Sequence, residues 1–277
     1  MKKIGFIDYY LDEWHANNYP EFFKKAAGEE MAVLYAYGEI DSPIGGMTNK
    51  EWSEKYNIPL VNSIDELVEK SDYIVVLSPD NPEMHLKLTD KALKSGKPVY
   101  IDKTFAPTKS DALRIFKNAD ENNTPCYSSS ALFFADELKE IDKEGIMKIN
   151  SINGGKFDIY LIHSVEQIIY LMGYDVKRVM YLDKSDFPAV IIEFADQRTA
   201  QIDFYTWTEF SLVVGYENKS AEIVSIKSNF FGNCIKAMTE FFKSGVAPVS
   251  HEQTIAVISV IEAAMKGKEK PFEWIEI

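Results

Sequence analysis

The stretch Ser71–Thr108, SDYIVVLSPDNPEMHLKLTDKALKSGKPVYIDKTFAPT, decides the fold. Tyr73–Leu77 is a continuous apolar, β-rich run, the pattern of a central parallel strand buried on both faces. Ser78-Pro79-Asp80 breaks the run. Pro82–Lys94 then carries helical spacing and stops at Gly96, with Lys94 in its last turn. Val99–Ile101 opens a second strand. Strand, helix and strand in this order form a right-handed crossover between parallel neighbours.

The same alternation extends in both directions. Upstream, Ile4–Tyr9 and Met31–Tyr37 read as strands, with a helix over Tyr19–Ala27 and a short one over Lys50–Tyr56. Ser63 caps a further helix, with Glu66 three residues on. Downstream, Ser110–Asn122 is helical and Thr124–Tyr127 a short strand. Residues 1–125 therefore predict an α/β domain with a Rossmann-like, doubly wound parallel sheet. The pattern changes after about residue 128. Ile146–Ile159 is strand-rich, Ser164–Met172 reads as a helix ending at Gly173, and strands follow over Val176–Leu182, Ala189–Phe194 and Thr199–Thr206. Hairpin turns fall at Asp196-Gln197-Arg198 and around Asn218, the second joining Leu212–Tyr216 to Ala221–Ile226. Helices over Cys234–Lys243 and Glu252–Met265 close the chain. Residues 126–277 predict a smaller α+β domain with an open mixed or antiparallel sheet.

Composition narrows the partners. The 277 residues carry a net charge of −13, which opposes nucleic acids and acidic membranes, since phosphate binding needs clustered Lys and Arg. Cys126 and Cys234 lie far apart without metal-type spacing and read as reduced thiols. No apolar signal region opens the chain and no apolar run is long enough to span a membrane, so the cytoplasm is the expected compartment.

Three segments together carry a resemblance. In the first, Ser78-Pro79-Asp80 stands at a turn, His85 on the next helix, and Gly96-Lys97-Pro98-Val99 leads into Asp102-Lys103-Thr104. The second is Asp158–Gly173, DIYLIHSVEQIIYLMG. The third is FFKSGVAPVSHEQTIAVISVIEAAMKGKEKP at the C-terminus. In order and spacing these resemble the glucose-fructose oxidoreductase/inositol dehydrogenase family. There the corresponding motifs are Thr-Pro-Asn, Glu-Lys-Pro, and Asp-x-x-x-His before a helix ending in Leu-x-Gly.

The resemblance implies an NAD- or NADP-dependent oxidoreductase for a sugar, polyol or related small hydroxyl or keto compound. It implies that Lys103 binds the substrate hydroxyl and assists proton transfer. It makes His163 the general acid/base, a role that suits an imidazole titrating near neutral pH. The family's Asp stands four residues before this His, where the chain has Ile159, so Asp158 is the candidate partner from five residues away, and Glu166 is a further acid one turn on. Tyr9, Tyr10 and Leu11 in the first loop, Glu39 or Asp41 after the second strand, and Ser78, Pro79, His85 and Asp102 are the expected cofactor contacts. A homodimer or larger homo-oligomer, formed through strands at 189–226, is also implied.

The first loop departs from this scheme. Dinucleotide sites use Gly-x-Gly-x-x-Gly after the first strand, so that the backbone can approach pyrophosphate at a helix N-terminus. The glycine positions fall at about Asp8, Tyr10 and Glu13, and none is glycine. Asp8, Asp12 and Glu13 bring negative charge to the place of a dianion. Two alternatives therefore stand beside the oxidoreductase: a non-catalytic relative that has lost dinucleotide binding and serves as a ligand-binding or scaffold protein, and an enzyme of the same fold with other chemistry. Asp12, Glu13 and His15 also include metal-ligand residue types, but a few polar residues in one loop read first as helix-capping acids, and no metal is expected.

Overall fold

The computed structural model describes residues 1–182 and 187–277. They divide into two compact units, residues 1–129 with 232–251, and residues 130–231 with 252–277.

The first unit is built on five strands: β1 (Lys2–Asp8), β2 (Met31–Gly38), β3 (Tyr73–Val76), β4 (Val99–Ile101) and β5 (Cys126–Tyr127). They pair in the order β2-β1-β3-β4-β5, parallel at every junction. Ile4, Phe6 and Ile7 of β1 and Ile74, Val75 and Val76 of β3 are fully buried, as unbroken apolar runs require when helices cover both faces. The connecting helices are α1 (Trp14–Ala27), α2 (Asn49–Tyr56), α3 (Ile64–Lys70), α4 (His85–Leu88), α5 (Asp90–Leu93) and α6 (Lys109–Glu121).

Helix α1 starts earlier than its apolar spacing alone predicts, because Glu13 caps it; it buries Ala16, Tyr19, Phe23 and Ala27 on one face. Ser63 caps α3 as expected, its side chain accepting from the Glu66 N–H. The helical stretch from Pro82 is interrupted: a 3-10 turn over Pro82–Met84 precedes α4, and a break at Thr89 separates α4 from α5.

The second unit contains α7 (Asp136–Glu140), β6 (Ile146–Gly154), α8 (Phe157–Met172), β7 (Val176–Tyr181), β8 (Ala189–Phe194), β9 (Thr199–Tyr205), β10 (Ser211–Tyr216) and β11 (Glu222–Ser225). Helices α9 (Phe230–Ser244) and α10 (His251–Glu269) and strand β12 (Trp274–Glu276) complete the chain. The sheet order is β11-β10-β6-β9-β8-β7-β12; β6 and β9 are parallel and the other neighbours antiparallel. Both hairpins form, the β8–β9 turn with Gln197 at φ 73°.

Two features depart from the sequence expectation. Helix α8 begins at Phe157, not at Ser164: Gly155 at φ 97° turns the chain out of β6, and Phe157, Leu161, Val165 and Ile168 then recur with helical period on the buried side. Most of α9 belongs to the first unit, so a single boundary near residue 125 leaves out a returning segment. There Phe242 stacks on Tyr73 at 4.8 Å between ring centroids, and Phe241 meets the Tyr127 ring edge-on. Cys126 and Cys234 are buried and form no disulfide, and burial pushes the Cys126 thiol up to about 12. Among the described residues, no helix is long and apolar enough to cross a membrane.

Candidate functional site at the carboxyl edge of the parallel sheet

An open sheet with this strand order binds ligands outside the carboxyl ends of its strands, at the β1/β3 switch point. Asp8 ends β1 there, and Ser78 follows β3. Asp8 is 1% exposed; its Oδ1 accepts from Ser78 Oγ at 2.9 Å and from the Tyr9 N–H at 2.7 Å, while its Oδ2 has no partner among the described residues. Burial, reinforced by the charge of Asp102, raises the Asp8 pKa well above the usual carboxylate range. Ser78 holds φ 79°, a left-handed conformation that costs a non-glycine residue about 1 kcal/mol. Its Oγ also accepts from the Tyr9 N–H, so this bend ties the ends of β1 and β3 together.

The loop between β1 and α1 is closed on itself. Tyr10 and Leu11 are buried, and the Leu11 N–H donates to Asn49 Oδ1 at 3.1 Å. Asp12 accepts from Asn17 Nδ2 at 3.0 Å and from the Met47 N–H at 2.7 Å. Gly46, at φ 102°, permits that approach, because a Cβ there would lie 2.4 Å from Asp12 Oδ2. Glu13 turns its carboxylate onto the start of α1 and accepts from the backbone N–H groups of His15, at 2.7 Å, and Ala16. Burial pushes Glu13 up to about 8, although His15 and these N–H donors act in the opposite direction.

Across the edge, Asp102 follows β4 at 1% exposure. Its Oδ1 accepts from Tyr100 Oη at 3.1 Å and the Lys103 N–H at 2.8 Å, and its Oδ2 lies 2.7 Å from His15 Nδ1. Burial opposes ionisation of both partners, yet their mutual attraction wins: the Asp102 carboxyl is held below its ordinary range and the His15 imidazole above its own. Lys103 is 7% exposed; its Nζ donates to the Pro79 carbonyl at 3.1 Å and lies 3.5 Å from Asp80 Oδ1. The Lys103–Thr104 peptide is cis.

The remaining predicted cofactor contacts are held by partners within the chain. His85 is fully buried, with Nε2 2.6 Å from the Leu77 carbonyl and Nδ1 3.0 Å from the Phe105 carbonyl. It joins the chain after β3 to the chain after β4, and burial lowers its pKa. Glu39 stands just past β2, where a ribose-binding acid is expected. Its carboxylate pairs with Lys87 and accepts from Tyr37 Oη at 2.8 Å, and these contacts hold its pKa below the ordinary value. Asp41 accepts from the Asn49 N–H at 2.7 Å instead.

In the second unit, His163 lies within α8, not at a helix start. Its Nδ1 is 2.7 Å from Ser130 Oγ, and its ring meets Tyr160 and Phe210 edge-on. Glu166, one turn on and buried, accepts from the Ser130 N–H at 2.8 Å, so the serine links the two candidates. Asp158 sits in the first turn of α8, with its carboxylate exposed and paired with Lys268. Sequence reasoning did not assign His15 a partner. Its contact with Asp102 joins residues distant in the chain, and no local spacing announces it.

A dinucleotide pyrophosphate rests on free N–H groups at the first helix, approached over glycine. Here Glu13 takes two of those donors, Tyr10 stands where glycine would, and Asp8 and Asp12 add carboxylates nearby. The loop as it stands does not fit a pyrophosphate. Among the described residues, no group of three or more His, Cys, Asp or Glu side chains is placed to hold an ion.

Comparison with known proteins places this geometry. A family model described as "Oxidoreductase family, NAD-binding Rossmann fold" (Gfo/Idh/MocA) matches residues 43–129, a span that begins beyond the first loop. An uncharacterized oxidoreductase of Streptococcus pneumoniae is 22% identical over 236 residues, covering 70% of this chain and 61% of the relative, so the match spans about three-fifths of that protein's length. The crystal structure of a probable dehydrogenase from Thermotoga maritima superposes with a TM-score of 0.78 at 16% identity, covering 99% of this chain and 98% of that one. That of scyllo-inositol dehydrogenase from Lactobacillus casei, with bound NAD(H) and scyllo-inositol, also gives 0.78, at 12% identity and with the same coverage of both chains.

Proposed function

We propose that the chain is a member of the glucose-fructose oxidoreductase/inositol dehydrogenase family and an oxidoreductase for a sugar, polyol or related small hydroxyl or keto compound, with NAD or NADP as hydride carrier. The observation that carries this reading is Lys103: a buried ammonium, fixed by the Pro79 carbonyl at the carboxyl edge of the sheet beside the anionic Asp102. A cation in that position polarises a substrate oxygen and steadies negative charge developing on it. The chain's own part in the reaction is the proton. In the oxidising direction Lys103 Nζ is the proposed hydrogen-bond donor to the substrate oxygen, and the His163 imidazole is the proposed acceptor of the hydroxyl proton. Ser130 positions the imidazole through Nδ1. Asp158, paired with Lys268, has no part in this step.

Ser78, Pro79 and Asp102 are the proposed contacts on the carrier's reactive side and Tyr9 and Glu39 those along its remainder, while Tyr10 and Leu11 are buried within the closed loop. His85 supports the site by holding Leu77 and Phe105. The test is a panel of sugars and polyols with NAD and NADP, read by reduced-nicotinamide absorbance. Turnover of any member, lost in Lys103→Ala, supports the proposal; a folded protein inert to the whole panel counts against it.

A second reading has its own observation. Glu13 on the start of α1 favours a relative that no longer binds a dinucleotide and acts as a ligand-binding or scaffold protein. The cytoplasm is the proposed compartment, in keeping with the two thiols. Assembly as a homodimer or larger through strands β8 to β11 is also proposed; Tyr205 and Ile223 on these strands are exposed apolar residues. Light scattering giving only monomer at micromolar concentration would exclude it.

A further inference from the structure

We propose that Glu13 is an internal substitute for a dinucleotide phosphate: its carboxylate fills the anion position at the start of α1, and no cofactor phosphate rests there while it does. The first turn of a helix leaves N–H donors unsatisfied and carries a partial positive charge, which is why it attracts anions. Glu13 answers both needs from within the chain, through the N–H groups of His15 and Ala16. The Glu13 side chain is only 8% exposed, so this is a packed arrangement rather than a passing surface contact.

The surroundings hold it in place. Asp12 fixes the preceding turn to the Met47 N–H, and Gly46 permits that closure. Leu11 is fully buried and its N–H is bound to Asn49, which anchors the loop from the other side. A phosphate entering here would have to displace Glu13 from its donors and meet Asp12 as a like charge. Glu13 is thus the residue that decides whether α1 takes part in dinucleotide binding. The inference stands apart from the oxidoreductase reading. A carrier bound to this chain would be held at the Ser78–Lys103 side, with its phosphates off α1.

The experiment is calorimetric titration of the full-length protein with NADH, NADPH and ADP-ribose at about pH 9, above the Glu13 value of about 8 so that its carboxylate is charged, comparing wild type with Glu13→Gly and Glu13→Gln. Removing the carboxylate frees the donors, and NADH affinity is expected to rise by about tenfold or more in Glu13→Gly, a size appropriate to charge-assisted hydrogen bonds at a helix terminus. Glu13→Gln keeps the shape and removes the charge, with an expected gain of about threefold. Thermal melts report whether each variant is folded, and Glu13→Gln carries the test if Glu13→Gly is not. Equal or weaker binding in the folded variants overturns the proposal, as does absence of binding in every form. A wild type that binds no cofactor beside a variant that does would refute the carrier assignment and keep this inference. Wild-type binding indifferent to Glu13 would do the reverse.

Discussion

Two stretches meet at the carboxyl edge of the first sheet, and they have fared differently. The segment from Ser78 to Thr104 lies in the span matched by the oxidoreductase family model and has a turn after β3, a buried His, and an acid–lysine pair after β4. The loop from Asp8 to His15 keeps the strand–loop–helix path but replaces glycine with bulk and negative charge. The contrast teaches that a fold and its cofactor chemistry are held by different forces. The path of β1 into α1 is secured by buried Ile4, Phe6, Ile7, Tyr19 and Phe23, and it survives whatever caps the helix. Phosphate binding depends on a few unobstructed N–H groups, and one carboxylate is enough to fill them.

The widest break in that comparison is expected from Lys103→Ala. A lysine that binds and polarises the reacting oxygen contributes about a hundredfold or more to kcat/KM, and steady-state kinetics on an identified substrate would measure the loss. A change below about threefold would place the chemistry elsewhere.

Asp102→Asn probes the contact by which the two stretches touch. It removes one charge from a buried pair with His15, an event that costs about 3 kcal/mol in comparable pairs, and urea denaturation would read it. The sign against pH follows from both shifts. His15, raised, contributes stability that is present below its unfolded pKa and fades as pH rises through its folded value; Asp102, lowered, contributes stability present above its unfolded pKa and lost as pH falls through its folded value. The penalty of Asp102→Asn is therefore largest between these limits.

Glu13→Gln sharpens the account of the loop. Glu13 titrates near 8 in the folded chain, far above its ordinary value, so the folded state holds a proton that the unfolded chain has released. Its contribution is fully present below about pH 4.5 and declines as pH rises toward 8, by at most about 1.4 kcal/mol per pH unit. The Gln variant lacks this decline. Its stability relative to wild type should grow from pH 5 to pH 8 in chemical denaturation series, and a flat difference would show that Glu13 is not held as described. The smallest effect belongs to Asp158→Ala. An exposed pair with Lys268 is worth less than about 1 kcal/mol, and kinetics should change little. A loss of turnover there would return Asp158 to the proton step.

Much of this was legible beforehand. The alternation around Tyr73–Leu77 identified the parallel sheet, because a buried strand needs an unbroken apolar run. The hairpins at Asp196 and Asn218 followed from turn chemistry. The start of α8 did not, since Phe157–Ile162 is apolar enough to read as strand until its turn at Gly155 is known. The return of α9 to the first unit depends on ring contacts such as Phe242 on Tyr73, which no local pattern encodes. At the site, Lys103 stood out in its motif. The capping role of Glu13 was legible too, as an acid just before a helix. His15 on Asp102 was not, because it exists only once β1, β3 and β4 lie side by side.

The most direct test of the oxidoreductase account is a fluorescence titration of the wild-type protein and Lys103→Ala with NADH and NADPH. The account predicts saturable binding of at least one cofactor by the wild type, weakened in Lys103→Ala. Absence of saturation at cofactor concentrations on the order of millimolar, with the protein folded, would contradict it.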